Sequence, residues 1–91
     1  MRVELLSNAS ATGSGKNWPG GEGAFLVAGT LGGATVTLQV LGPDGSTWLD
    51  VGADAALTAA GAVGFTLPPG TIRAAVTGGS PSGLYALAVR V

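Results

Sequence analysis

The chain contains no cysteine and no histidine, and it has only four Lys and Arg and five Asp and Glu residues among its 91 residues. Without Cys there is no disulfide framework, no thiolate nucleophile and no Cys-based zinc site. Without His, Ser–His catalysis and imidazole general-base chemistry are excluded. The composition therefore predicts a protein that is not an enzyme and that uses no cofactor, metal or small-molecule substrate.

Charge of either sign is scarce, and the net charge is −1. Four scattered cations cannot neutralise a run of phosphates, so we expect neither nucleic-acid binding by counterion release nor polybasic attachment to a membrane. Glu4 interrupts the apolar run that a signal peptide needs, and no stretch approaches the ~20 apolar residues of a membrane-spanning helix. These features predict a soluble protein that is made in a cytoplasm.

Large apolar side chains are few for a stable core. Of the 42 hydrophobic residues, 15 are alanines, which leaves 27 larger side chains. We expect a single domain over residues 1–91, and a domain of this size buries only about 60–65% of its unfolded surface. Because few charges solvate its surface, such a chain favours a protomer that is partly covered by copies of itself or by another protein.

Period-two alternation dominates the remaining pattern. Two runs, residues 34–41 and 48–51, flank a Pro-Asp-Gly turn at residues 43–45 and predict a hairpin. The other predicted strands cover residues 2–6, 24–28, 62–67 and 71–77, and the last one runs to residue 91. The predicted inward faces are Val36, Leu38 and Val40; Val63, Phe65 and Leu67; Ile72, Ala74 and Val76; and Tyr85, Leu87, Val89 and Val91. About seven short strands predict an all-β fold, a small antiparallel β-sandwich or barrel.

Residues 8–23 form a polar, glycine-rich segment whose only large apolar side chain is Trp18. So long a segment without a strand pattern is unusual in a small domain. Two interpretations stay open: a flexible surface loop, or an extended Gly/Ser-rich arm near the N-terminus that orders against a neighbouring molecule with Trp18 as its anchor. Residues 13–16, Gly-Ser-Gly-Lys, lack the rest of a nucleotide-binding loop. The Ala-rich residues 54–60 leave room for one helical turn.

Asp44, Asp50 and Asp54 are the only clustered acids. They lack the alternating oxygen ligands of an EF-hand loop, and a turn role for Asp44 is favoured over a calcium site. Two carboxylates also serve glycoside hydrolases, but the necessary cleft is hard to build from so few residues. We therefore expect no metal ligand and no catalytic residue.

Aromatic and cationic side chains are the remaining candidates. Trp18, Trp48 and Tyr85 are the residues that a sugar-stacking platform would use; core packing explains Tyr85 more simply, and for Trp48 both interpretations stay open. Arg73 and Arg90 fall at outward positions of consecutive predicted strands, which favours a cationic pair on one face that meets Glu4 or acids of a neighbouring subunit. The candidate protein-interface residues are Lys16, Asn17, Trp18, Arg73 and Arg90.

One ordered series of motifs resembles a known class of protein. The series is GATVTLQV at residues 33–40, PDGSTWLDVG at residues 43–52, LPPGTIRAAVTGG at residues 67–79 and GLYALAVRV at residues 83–91. It resembles the small glycine-rich β-sandwich virion proteins of tailed bacteriophages. The resemblance covers about residues 24–91, and the segment at residues 8–23 lies outside it.

The resemblance implies a structural protein of the virion, made in the cytoplasm of a bacterial host. Its partners would be the major capsid protein or other virion subunits, and a homo-oligomer is implied, with a trimer matching the threefold positions of a capsid. A capsid decoration or cement subunit on the outer surface of the capsid lattice is the favoured role. A tail, neck or head-fibre-base component is the alternative. The residues themselves leave a second alternative, a carbohydrate-binding or adhesion module that stacks sugars on Trp48.

Overall fold

The computed structural model describes residues 2–52 and 55–90, which form nine strands in two sheets whose strand pairs are all antiparallel. The strands are β1 Arg2–Ala9, β2 Lys16–Trp18, β3 Gly21–Thr30, β4 Thr35–Leu41, β5 Trp48–Asp50, β6 Ala56–Leu57, β7 Gly61–Leu67, β8 Gly70–Thr77 and β9 Ser82–Arg90. The four-stranded sheet has the order β1-β9-β3-β7. The five-stranded sheet has the order β2-β8-β4-β5, with β6 also paired to β4. The predicted all-β sandwich is thus confirmed, with nine strands in place of about seven.

One hydrophobic core joins the two sheets. Val36 and Leu38 on β4, Ile72 on β8 and Phe25 on β3 are all fully buried. The alternation of apolar and polar side chains places each inward residue between two outward ones, as a sheet with one solvated face requires. The inward faces predicted within residues 34–41, 62–67 and 71–77 are therefore confirmed. Across the described residues, no helix is long and apolar enough to cross a membrane.

The predicted hairpin is formed by β4 and β5. Gly42 N donates to Thr47 O at 2.6 Å, and Gly45, with a φ of 76°, donates from its N to Gly42 O at 3.0 Å. The Asp44 carboxylate accepts hydrogen bonds from the Thr47 hydroxyl at 2.5 Å, from Thr47 N at 2.9 Å and from Ser46 N at 3.1 Å. These hydrogen bonds, led by that of the Thr47 hydroxyl, lower the pKa of Asp44 to about 2. The acid thus acts within the turn.

Over residues 2–52 and 55–90, the chain passes from one sheet to the other six times, after β1, β2, β3, β6, β7 and β8. Only β4, β5 and β6 follow one another within a single sheet. As a consequence, β8 and β9 belong to different sheets although they are consecutive in the sequence. This topology decides which of the predicted surface residues lie together.

The face of β9 that points into the core is opposite to the predicted one. The inward residues, all fully buried, are Leu84, Ala86 and Ala88. The outward residues are Tyr85, Leu87 and Val89, and Tyr85 is 49% exposed. The small side chains of Ala86 and Ala88 suit this strand because three aromatic rings, those of Trp18, Phe25 and Phe65, fill the same core. The assignment of Tyr85, Leu87 and Val89 to the core was wrong, and Val91 lies outside the described residues.

Residues 8–23 are not a free arm. β1 extends to Ala9, β2 pairs with β8 in the register Lys16↔Ile72 and Trp18↔Gly70, and β3 begins at Gly21. The segment carries the chain from the first sheet to the second and back. Of residues 54–60, for which a helical turn was considered, Ala55 has 3-10 conformation and donates from its N to Gly52 O at 3.1 Å, and residues 56 and 57 form β6. Residue 54 lies outside the described part of the chain.

Candidate functional site

Trp18 is a core residue. It is 1% exposed, and its ring packs on Phe65 with centroids 5.0 Å apart at an angle of 51°. The Nε1–H group of Trp18 is buried without a hydrogen-bond partner. The role predicted for Trp18, an anchor against a neighbouring molecule, is corrected because its own chain already covers the side chain. Lys16 and Asn17 are exposed on β2, an edge strand of the five-stranded sheet.

The outer surface of the five-stranded sheet carries a connected group of polar side chains, which we call the Trp48 cluster: Gln39, Trp48, Asp50 and Arg73. Arg73 Nε donates to Gln39 Oε1 at 2.8 Å, and Gln39 Nε2 donates to Asp50 Oδ1 at 2.8 Å. The Arg73 guanidinium carbon lies 4.3 Å from the centroid of the Trp48 ring. This cation–π contact and the two hydrogen bonds tie β8, β4 and β5 together on the solvent side.

The register of three strands builds the Trp48 cluster. Gln39 pairs with Arg73 on one side and with Asp50 on the other, and Trp48 pairs with Leu41, two residues further along β4. The loop before β2 approaches the indole, because a Cβ on Gly15 would lie 3.1 Å from Trp48 Cη2. The cluster therefore brings together an aromatic ring, an amide, a guanidinium and a carboxylate on the outer side of one sheet.

Arg90 is not part of this group. It lies on β9 in the other sheet and is exposed. Its side chain lies beside Gly21, since a Cβ added to Gly21 would lie 3.4 Å from Arg90 Nε. The predicted pairing of Arg73 with Arg90 on one face is wrong, because the chain changes sheet between β8 and β9. Similarly, Trp18 is buried and Trp48 and Tyr85 lie on different sheets, so the three aromatics form no common sugar platform.

The clustered acids have separate roles. Asp44 accepts hydrogen bonds within the β4–β5 turn, Asp50 belongs to the Trp48 cluster, and Asp54 lies outside the described residues. Among residues 2–52 and 55–90 there is no group of three or more acidic side chains that would hold a metal ion. Asp44 therefore stabilises a turn, and Asp50 takes part in a hydrogen-bond network on the surface.

The outer surface of the four-stranded sheet is apolar, and sequence analysis missed it. This surface, which we call the apolar face, consists of Ala24, Leu26 and Ala28 on β3, Ala62 and Gly64 on β7, and Tyr85, Leu87 and Val89 on β9. Leu26 is 37% exposed and Tyr85 is 49% exposed. The sequence of β3 contains the feature that could have indicated this face. Residues 24–28 are apolar at every position, as in a strand that is covered on both sides.

Strand register arranges the apolar face in rows. One row runs Arg2, Val89, Ala24, Gly64, and the next runs Glu4, Leu87, Leu26, Ala62. Two open depressions lie on this side. One, of about 390 Å³, is lined by Leu26, Ala28, Ala62, Tyr85 and Leu87. The other, of about 400 Å³, is lined by Ala24, Gly64, Thr66 and Glu22 and reaches Gly23 and Phe65. The face thus has raised leucines beside hollows above small residues.

Comparison of the chain with models of protein families, with curated proteins and with solved structures finds no match.

Proposed function

We propose that the protein is a non-enzymatic structural subunit of a tailed-bacteriophage virion, made in the host cytoplasm and incorporated as a capsid decoration or cement subunit. Its partner is the outer surface of the major capsid protein lattice, and its role is to stabilise the head. The observation that carries this proposal is the apolar face, a sheet surface with exposed Leu26 and Tyr85 on a chain with nine charged residues. The motif series at residues 33–91 supports the choice of a virion.

An exposed apolar sheet face is unfavourable for a free monomer and becomes favourable when protein covers it. The face is built on the central strands β9 and β3 of its sheet. Many identical copies on a lattice need this kind of surface, because repeated weak contacts combine through high effective concentration. No catalytic chemistry is required of such a subunit.

The first test is sedimentation of native virions through a density gradient, with this protein quantified in each fraction by mass spectrometry. A decoration subunit is expected to migrate with intact particles at hundreds of copies each. A handful of copies would assign it to the tail, the neck or the base of a head fibre. Recovery only at the top of the gradient would overturn the virion proposal.

A pair of variants tests whether the apolar face is buried in a contact of the assembled particle. Leu26→Ser is expected to lower the number of copies per particle by about tenfold, since it removes an apolar side chain from the buried interface. Leu49→Ser is the matched control, because Leu49 is 46% exposed but lies on β5 in the other sheet. Equal loss of both variants from the particles would contradict a specific role for this face.

A second candidate, carbohydrate binding, is favoured by the Trp48 cluster. Aromatic rings beside amide and carboxylate groups are suited to sugars, which offer apolar ring faces and hydroxyl groups. If this function holds, a glycan array detects saturable binding that Trp48→Ala abolishes and that Tyr85→Ala, on the other sheet, retains. Absence of saturable binding by the wild-type protein would exclude this candidate.

A further inference from the structure

We propose that the apolar face binds the same face of a second copy of this chain around a twofold axis. The inference rests on the proposed function and deepens it: in the assembled particle a neighbouring copy covers the apolar face, and the contact with the capsid protein uses the remaining surface. Its test uses the purified protein alone. It also differs from the trimer that the motif resemblance implies, because the arrangement of side chains on this face complements itself under a twofold rotation.

The size of the side chains gives the first argument. Place the axis in the interface, at right angles to the strands, midway between the row of Val89, Ala24 and Gly64 and the row of Leu87, Leu26 and Ala62. Each row then lies over the other row of the second copy. Leu26 meets the hollow above Ala24 and Gly64, so a raised side chain enters a depression of about 400 Å³ twice in one interface.

Charge gives the second argument. Arg2 and Glu4 are exposed on β1 at the edge of the same two rows, opposite Val89 and Leu87. The same axis brings Arg2 of each copy over Glu4 of the other, which makes two reciprocal ion pairs at the rim. The other twofold axis, which runs along the strands between β9 and β3, places β1 over β7, so that Arg2 lies over Gly64 and Glu4 over Ala62 and no ion pair forms. The charges therefore favour the axis across the strands over the axis along them.

The available area sets the strength of the contact. Four strands about 4.8 Å apart and the two facing rows of residues, about 6.8 Å apart, give a footprint of about 260 Å² per copy. Stable complexes bury about 800 Å² per partner, so this contact belongs to the weak class, with a dissociation constant of about 10 μM to 1 mM. In an assembled lattice the local concentration exceeds this range, and the contact is occupied.

The test exchanges the two charges. Sedimentation velocity is run on the wild type, on Arg2→Glu, on Glu4→Arg and on the double exchange Arg2→Glu/Glu4→Arg, from about 10 μM to about 1 mM. Each single variant replaces two ion pairs by two like-charge contacts, so we expect its self-association to weaken about tenfold. The double exchange is expected to associate like the wild type. An equimolar mixture of the two single variants is expected to form a heterodimer, because all facing charges are then opposite.

Apolar variants check that the contact uses this face. Leu26→Ser is expected to prevent self-association, whereas Leu49→Ser is expected to leave it unchanged. A wild-type protein that stays monomeric up to about 1 mM, or forms trimers, would overturn the inference. The inference would also be overturned if an equimolar mixture of the two single charge variants did not regain association. Self-association that follows the charge pattern in a protein absent from virions would instead overturn the proposed function and leave this inference in place.

Discussion

At the scale of single residues, Gly23 shows how backbone and core are matched. A Cβ on Gly23 would lie 2.6 Å from Trp18 Cη2 and 2.8 Å from the Val89 carbonyl oxygen. The ring is enclosed by the core and the carbonyl belongs to the neighbouring strand β9, so neither can withdraw without disturbing the sheet. The position therefore tolerates only glycine, for a steric reason.

We predict that Gly23→Ala lowers the free energy of unfolding by about 1–3 kcal/mol, the usual effect of overpacking. The matched control is Gly64→Ala on the adjacent strand, where a new Cβ would meet only the Gly23 carbonyl oxygen at 3.9 Å. It is expected to change stability by less than about 0.5 kcal/mol. Urea unfolding measures both. Equal effects of the two variants would show that the loss arises from removing glycine rather than from contact with Trp18.

The sequence shows that Trp18 is the one large apolar side chain of its segment, but it does not predict that Trp18 lies in the core of its own chain. The residue stands in a polar segment, and local composition favours an exposed loop. Two of the features that bury it are non-local, the pairing of β2 with β8 and the ring of Phe65. The third, Gly23, lies in the same segment but has no side chain that a hydrophobic pattern would display, so the burial of Trp18 was not predictable from that segment.

At the scale of elements, the β4–β5 hairpin was predictable because its signals are local. Pro43, Asp44 and Gly45 specify the turn, and the Asp44 carboxylate holds Ser46 and Thr47 in place. The face of β9 was not predictable in the same way. Its two faces are both apolar, and only the strands packed against it decide which one is buried. The Trp48 cluster likewise depends on the order β8-β4-β5, which the sequence does not display.

The turn gives a pH prediction. The pKa of Asp44 is lowered to about 2 in the folded protein, so its charged form stabilises the turn above the unfolded-state pKa of about 3.9. That contribution is lost as the pH falls through about 4 towards 2. We therefore expect wild type to be more stable than Asp44→Ala near neutral pH and the difference to shrink in that acid range. Thermal melts between about pH 2 and 7 measure it. A constant difference would contradict the role of the charge.

The orientation of β9 gives a second prediction for an element. Leu84 is fully buried and Leu87 lies on the apolar face. A leucine-to-alanine substitution at each position therefore compares the inward with the outward side of one strand. Leu84→Ala is expected to cost about 2–5 kcal/mol, through lost burial and a cavity. Leu87→Ala is expected to cost less than about 1 kcal/mol in the monomer. Denaturant unfolding measures the loss of stability in both variants. A larger loss for Leu87→Ala than for Leu84→Ala would mean that Leu87 faces the core, as the sequence pattern predicted.

For the whole molecule, the alternation of the chain between two sheets links every element to a common core. β1 pairs with β9 and β2 with β8, so the beginning of the described chain is held by its end in both sheets. Neither sheet can be completed from one contiguous piece of sequence, and the loops must close before most strand pairs form. The same topology leaves one polar and one apolar outer face, on which the two proposed binding roles depend.

This topology predicts a single cooperative unfolding transition and slow folding. Trp48→Phe leaves Trp18 as the sole tryptophan, a reporter in the core shared by both sheets, while far-UV circular dichroism reports all strands. The two signals are expected to give the same denaturation midpoint, because no sheet persists without the other. Refolding is expected on a scale of milliseconds to seconds, as for other sandwiches with mostly non-local contacts. Loss of the Trp18 signal at lower denaturant than the circular dichroism would contradict this, since it would mean that β2 and its core separate while the remaining strands stay paired.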